Sequence, residues 1–442
     1  MKTICFIENR GKTVFWAALA AEFRDRGHRI CWIVQNHAFT PKEPRAAGDD
    51  ITAIPYPSRR DMNAPDPALR AALESDRGRQ FFGNGSGHYS YYSNQISAAL
   101  ADFAPDVVIG ESTLFHELLA IEYCKQHAIL HLQPAGTRYP ADRFAVLTYD
   151  TQVVAGGSGE KWPDADIGQL ASSIVTGATI PTYMRKRNRA DELRKVGASV
   201  RVWATRLGGE RYNTPALVQK WRLRRALKAR LLIWDKIART VPEGRQAILY
   251  PLQMQPEANL DVWGGRWADQ VEVVKSILRA APEDIMVAIK ANPKAKYEVS
   301  DALLALAQYD DRIVLLPQAM KMDAAQLASL GTLTITGTVA YEAVLGKSRC
   351  IALGHPLIEA HFPMFHANSI PEAVSRILNE PEAGVGGEAT GRQLLEHLVA
   401  TSYPGIINEP LFDRRSTTPH NIRLVADALS HVMTTQLEQG DI

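Results

Sequence analysis

Glu111 follows the apolar run Val107-Val108-Ile109-Gly110, where a carboxylate contributes little to packing and is well placed to move a proton. His116 and Glu117 come within the next turn and a half, so an acid–base group could be assembled from Glu111 and His116. Helix capping by Ser112 or Thr113 explains part of the same pattern without chemistry. A second carboxylate, Glu257, closes the run Tyr250-Pro251-Leu252-Gln253-Met254-Gln255-Pro256. Gln253 and Gln255 lie two apart and so share a face of a strand, and Pro256 stops further ladder pairing. Glu257 suits a nucleophile, an acid–base group or an acceptor for sugar hydroxyls. Satisfying nearby backbone N–H groups is its plain alternative.

Cations and hydroxyls gather at equivalent places. Lys290 and Lys294 bracket Asn292-Pro293 after an apolar run, a set that can neutralise a phosphate leaving group. Thr336-Gly337-Thr338 ends another run and opens a helix over 339–346, offering hydroxyls and backbone N–H groups, with Glu342 one turn in and suited to a ribose hydroxyl. Arg10-Gly11-Lys12-Thr13 follows the first strand and opens a helix that can face an anion. It is not a Walker loop, which needs glycine where Phe6 stands. Arg138 and Arg143 follow a later strand, and guanidinium groups bind carboxylate or phosphate in bidentate fashion. Ordinary surface pairing is the alternative for both arginines.

Strand–helix–strand units must position these groups. Residues 2–8, a helix over 14–26 and a strand over 28–35 follow one another at short spacing, which predicts a parallel sheet. A strand ending at Gly110, a helix over 114–126 and a strand over 129–133, ending at Pro134, continue it. A second set of such units fills 245–400. The aromatic and glycine-rich stretch 81–92 reads as a loop, able to close over a sugar or simply packed on its own rings. Residues 216–238 read as an amphipathic helix rich in lysine and arginine, a linker or a contact for an anionic membrane surface. The expected division is 1–215 as an N-terminal Rossmann-like domain, 216–244 as a basic linker helix, 245–410 as a C-terminal Rossmann-like domain, and 411–442 as a terminal helix and tail.

At 442 residues two or three domains are expected. A net charge of +2 gives no general case for nucleic-acid binding. Four scattered cysteines without a CxxC pair indicate a reducing compartment and no zinc site, and no other metal spacing stands out. No run reaches the roughly 18 apolar residues of a membrane span. A cytoplasmic protein is expected, peripheral at the inner membrane if the basic helix makes contact there.

These motifs together resemble the bacterial capsule-polysaccharide biosynthesis glycosyltransferases, the Kps-type Kdo and related nonulosonate transferases. The resemblance covers most of the chain and is strongest over 250–257, 264–270, 289–293 and 334–347. It implies an α/β fold of the GT-B class, two Rossmann-like domains facing across a cleft with a C-terminal crossover helix. It implies a metal-independent glycosyltransferase with no cofactor beyond its nucleotide-sugar donor, a CMP-activated acidic sugar such as Kdo or pseudaminic acid, and a glycan or glycolipid acceptor. Lys290, Asn292, Lys294, Thr336, Gly337, Thr338 and Glu342 would bind the donor. Arg10, Gly11, Lys12, Arg138, Arg143 and Gln253 would bind substrate, and Glu111, Glu257 and His116 would carry catalysis. The family has histidine where this chain has Asn292, so assistance to the leaving group falls to Lys290, Lys294 or the 336–338 turn. A sugar-nucleotide epimerase or hydrolase, a transferase using a UDP- or GDP-sugar, and a non-catalytic assembly subunit are the alternatives.

Overall fold

The computed structural model describes residues 1–42, 48–79, 85–179, 197, 200, 203–214, 216–295 and 297–439. Two compact units emerge. Unit 1 gathers Met1–Trp162, Ile180–Gln219 and His397–Ile442, and unit 2 gathers Pro163–Thr179 and Lys220–Glu396.

Unit 1 begins with β1 (Thr3–Ile7), α1 (Thr13–Asp25), β2 (Arg29–Val34) and β3 (Asp50–Ala53). β1 is buried along Ile4–Ile7 because both of its faces are covered, the reason it reads as an unbroken apolar run. α1 lays Phe15, Trp16, Leu19 and Phe23 on the sheet; each fully buried side chain of this size stabilises by roughly 1.5–3 kcal/mol. Next comes α2 (Gly87–Phe103), which buries His88, Tyr89, Tyr92, Ile96, Leu100 and Phe103. It ends at Ala104, which takes a left-handed conformation and donates its N–H to Leu100 O. The expected loop over 81–92 is therefore helical from Gly87. Tyr89 and Tyr92 pack on Phe115 inside the unit and do not cover a ligand, while Phe81–Asn84 lie outside the described residues.

β4 (Val107–Ile109), α3 (Phe115–Gln126), β5 (Leu130–Gly136) and β6 (Arg143–Thr148) follow. Pro134 does not end its strand. β4 pairs with β5 only as far as Leu132, so at Pro134 the missing N–H faces no neighbour on that side, and β5 continues into an antiparallel hairpin with β6.

α4 (Leu217–Ile237) leads into unit 2, where β7 (Gln246–Pro251), α5 (Gln270–Ala280), β8 (Ile285–Lys290), β9 (Ile313–Leu315), β10 (Gly331–Thr334), α6 (Val339–Val344), β11 (Cys350–Ala352) and α7 (Ile370–Asn379) alternate. Leu227, Leu231 and Ile237 of α4 pack on the unit 2 core, and Trp234 is buried within it with its indole N–H donated to Leu316 O at 2.9 Å. Asp269 caps α5 by accepting from Val271 and Glu272, and Val273, Val274 and Ile277 face the core at helical spacing. The chain then returns to unit 1 as β12 (Tyr403–Pro404) and α8 (Pro419–Gln439), whose Val425, Leu429 and Val432 complete the core around α1.

The unit 1 sheet runs β12-β6-β5-β4-β1-β2-β3, with β6 alone reversed, antiparallel to both its neighbours β5 and β12. The unit 2 sheet is fully parallel, β11-β10-β7-β8-β9. The chain is thus an α/β protein of two Rossmann-like domains. In each sheet the strand order reverses once, between β1 and β4 and between β7 and β10, and ligands of such sheets bind at the carboxyl ends of the strands beside that point. No helix among the described residues is long and apolar enough to cross a membrane.

Candidate functional site

At the β1/β4 reversal of unit 1, Glu8 and Asn9 leave one strand while Glu111, Ser112 and Thr113 leave the other. Glu117, from the first turn of α3, turns back under them. Its carboxylate accepts the backbone N–H groups of Glu111 (3.1 Å), Thr113 (3.1 Å) and Leu114 (2.9 Å) and the Asn9 side-chain amide (2.8 Å). These bonds satisfy the open end of the helix. Glu111 is ion-paired with Lys12 and retains partial exposure, 18% of its side chain. The Thr113 hydroxyl joins the two acids, 3.2 Å from Glu111 and 3.1 Å from Glu117.

Burial and the Glu111 charge together push Glu117 up to about 7. Burial also raises Glu111, but Lys12 and Arg77 outweigh it and hold that acid below its ordinary value. The two carboxylates are therefore set apart, one ionised and reachable, one buried and more basic, an arrangement suited to taking a proton and storing it.

Arg10, Gly11 and Lys12 form the turn before α1 in this same cluster. Lys12 lies over the Trp16 ring at 5.0 Å. Arg10 donates to the Asn213 carbonyl. A Cβ on Gly11 would meet the Glu409 carboxylate, so a larger residue here would make that side chain swing away from the cluster. Burial raises Glu409, partly offset by Arg10 and Lys12.

His116 does not serve as an acid–base group facing a substrate. Its ring is fully buried, Nε2 donates to Glu8 O at 2.8 Å, and Nδ1 accepts from the Asn213 amide at 3.1 Å. Burial lowers its pKa, and the neutral ring acts as a spacer between β1 and the 203–214 segment. Arg143 is likewise withdrawn from the expected substrate role. Its guanidinium donates to Ser402 Oγ (2.8 Å), Ser402 O (2.8 Å), Val399 O (3.1 Å) and Glu160 (2.7 Å), and only 6% of the residue is exposed. It fastens the returning C-terminal segment to β6. Arg138 sits half-buried in the β5–β6 turn.

The second reversal, in unit 2, brings Gln253 beside the turn after β10. With its amide oxygen toward that turn, Gln253 accepts from the N–H groups of Ile335 (3.0 Å), Thr336 (2.9 Å) and Gly337 (3.2 Å), and its NH2 donates to Thr336 Oγ1 (2.8 Å). Thr336 in turn donates to Asn259 O. The backbone donors expected to take a phosphate, and the Thr336 hydroxyl with them, are thus occupied by Gln253. Thr338, at the start of α6, is half-buried. Glu342 is paired with Lys347 at 3.4 Å.

Lys290 ends β8 buried, its ammonium donating to the carbonyls of Gln318 (3.0 Å) and Ala291 (3.3 Å), and burial lowers its pKa. Asn292 accepts the Lys294 N–H at 2.9 Å, shaping the loop that carries the exposed Lys294. Glu257 is half-buried between Pro256 and the short helix Ala258–Asp261, with its N–H donated to Asp261 at 2.8 Å.

The sequence pattern gave no role to four members of the unit 1 cluster. Glu8 carries the same signal as Glu111, an acid directly after a buried strand. Asn9 and Glu117 lie next to residues already singled out. Glu409 stands in a loop far along the chain and carries no local signal.

No family model matches this chain, and no curated protein does either. Among solved structures it is similar to the UDP-GlcNAc 2-epimerase from Neisseria meningitidis bound to UDP-GlcNAc, at 13% identity over 90% of this chain and 100% of that one, with a TM-score of 0.28. It is similar also to a glycosyltransferase from Rickettsia africae, at 12% identity over 99% of this chain and 98% of that one, with a TM-score of 0.28. A third is the calicheamicin glycosyltransferase, at 12% identity over 98% of each chain, with a TM-score of 0.25.

Proposed function

We propose that the chain is a glycosyltransferase that moves a sugar from a nucleotide-activated donor onto a glycan acceptor of a surface polysaccharide. One observation carries the reading: Glu111, partly exposed and kept ionised by Lys12, is joined through the Thr113 hydroxyl to the buried, more basic Glu117. An acceptor hydroxyl placed at Glu111 loses its proton as its oxygen bonds to the anomeric carbon. The bond from that carbon to the donor phosphate breaks, and its electron pair leaves with the nucleotide. The proton rests on Glu111 and passes across Thr113 to Glu117. A single displacement of this kind inverts the anomeric centre.

Unit 2 takes the donor at its β7/β10 edge, with Lys294 and Thr338 toward the leaving phosphate and Glu342 toward the ribose. Glu257 on that edge is the carboxylate of unit 2 suited to the hydroxyls of the donor sugar. The donor is a CMP-activated acidic sugar, Kdo or a nonulosonic acid. Support for this finer choice is the run of motifs over 250–347, where the resemblance to the Kdo and nonulosonate transferases is concentrated.

The test is nucleotide release from CMP-, UDP- and GDP-sugars with and without a glycan acceptor. Glu111→Gln is expected to lower kcat by about 10²–10⁴-fold, the usual worth of a general base. Unchanged turnover in that variant sinks the assignment of the base. Conversion of the sugar nucleotide with no acceptor present moves the reading to an epimerase or hydrolase.

A further inference from the structure

One face of α4 is unaccounted for by the unit 2 core. The helix carries seven basic residues and one acidic residue. Leu227, Leu231, Trp234 and Ile237 face the core. On the opposite face Trp221, Arg225, Lys228 and Leu232 follow one another at helical spacing, and Arg222 and Arg224 flank them. The apolar members are not covered: Leu217, Val218, Trp221 and Leu232 are each 54–61% exposed. Arg225 stacks over the Trp221 ring at 5.4 Å, keeping a cation beside the exposed indole.

We propose that this face of α4 docks on an anionic lipid surface. Exposed Trp and Leu side chains between arginines and lysines match the boundary between acyl chains and acidic headgroups, where long cationic side chains reach outward to phosphates. Charge excludes a second copy as the occupant, since self-association would press two strongly cationic faces together. The exposed aliphatic side chains Leu217, Val218 and Leu232 separate this face from a nucleic-acid contact, which draws on cations, polar groups and stacking aromatics. The chemistry of the face is also distinct from the machinery of either strand-end cluster.

The test is co-sedimentation of the full chain with vesicles of phosphatidylcholine alone or mixed with phosphatidylglycerol. Binding is expected only with the anionic lipid and is expected to weaken as salt rises. Each cation near such a surface contributes about fivefold in partitioning, equivalent to roughly 1 kcal/mol, so Arg225→Gln with Lys228→Gln should lose about 25-fold. Trp221→Ser with Leu232→Ser should also release the protein from vesicles, with its circular dichroism unchanged. Binding equal on neutral vesicles, or unaffected by either double variant, overturns the proposal. So does failure to bind accompanied by a concentration-dependent dimer that Trp221→Ser dissolves, or by stoichiometric capture of a polyglutamate peptide. Because vesicle binding reads no sugar chemistry, its failure and a failure of the transferase reading are separate results.

Discussion

Replacing Glu117 by glutamine gives the sharpest test of the unit 1 cluster, because it removes a titrating group from a fully buried position. Glu117 is lifted from an ordinary 4.5 to about 7. Below about pH 4.5 the folded and unfolded chains both carry its proton, and the contribution is fully present. Between 4.5 and 7 the unfolded chain ionises while the folded one stays protonated, so stability falls as pH rises, and above about 7 the loss is complete. At about 1.4 kcal/mol per pH unit the total is roughly 3 kcal/mol.

Glutamine has no such slope, but it must turn its NH2 toward donors that Glu117 accepts, at a fixed cost of about 1–3 kcal/mol. The variant should therefore be clearly weaker than the parent near pH 5 and close to it near pH 8. The gap should change by about 3 kcal/mol across the range. Urea unfolding read by amide exchange of β1 and β4 reports unit 1 alone. Glu111 is present in both proteins, and its depressed pKa places its own loss of stability at more acid pH, as the solution falls through the folded value. Parallel curves, with a gap that does not depend on pH, would refute the perturbed carboxyl and the proton store built on it.

Lys12→Met removes the cation that holds Glu111 down, so the acid limb of the kcat/KM profile should move to higher pH; an unmoved limb refutes the pairing. Arg143→Met strands the Ser402 and Val399 carbonyls and should cost unit 1 about 3 kcal/mol in urea unfolding, with KM for the donor unchanged. A raised KM without that destabilisation would return Arg143 to the substrate. Gly386→Ala drives a Cβ into the Ala343 and Val344 carbonyl oxygens at the end of α6. It should destabilise unit 2 by about 1–3 kcal/mol in the same measurement and spare the exchange of β1 and β4.

The alternation of elements and the strand ends were legible because buried parallel strands are unbroken apolar runs, and the first polar residue after each run marks its carboxyl end. Glu111, Glu257 and the Thr336–Thr338 turn were found that way. What the pattern could not carry was occupancy. Arg143 looks like a substrate arginine until Ser402, 259 residues away, takes its guanidinium. Gln253 and the 335–337 turn are equally inviting one at a time, and only their pairing across β7 and β10 shows that each satisfies the other. The 81–92 stretch misled through composition: its glycines and serines outweighed the helical spacing of Tyr89, Tyr92 and Ile96. Pro134 misled because a proline inside a strand is tolerated only where the neighbouring strand has already stopped, a fact of register rather than of local sequence.

The return of β12 and α8 to unit 1 bears on how the chain is made. Unit 2 lies almost wholly between residues 163 and 396, so all of its strands have left the ribosome before the last β-strand of unit 1 has been translated. The earlier-born half must wait, its α1 surface open, until Val425, Leu429 and Val432 emerge to seal it. A chain cut short at residue 396 would hold a complete second half and an unsealed first half, a form of this protein that a chaperone would meet.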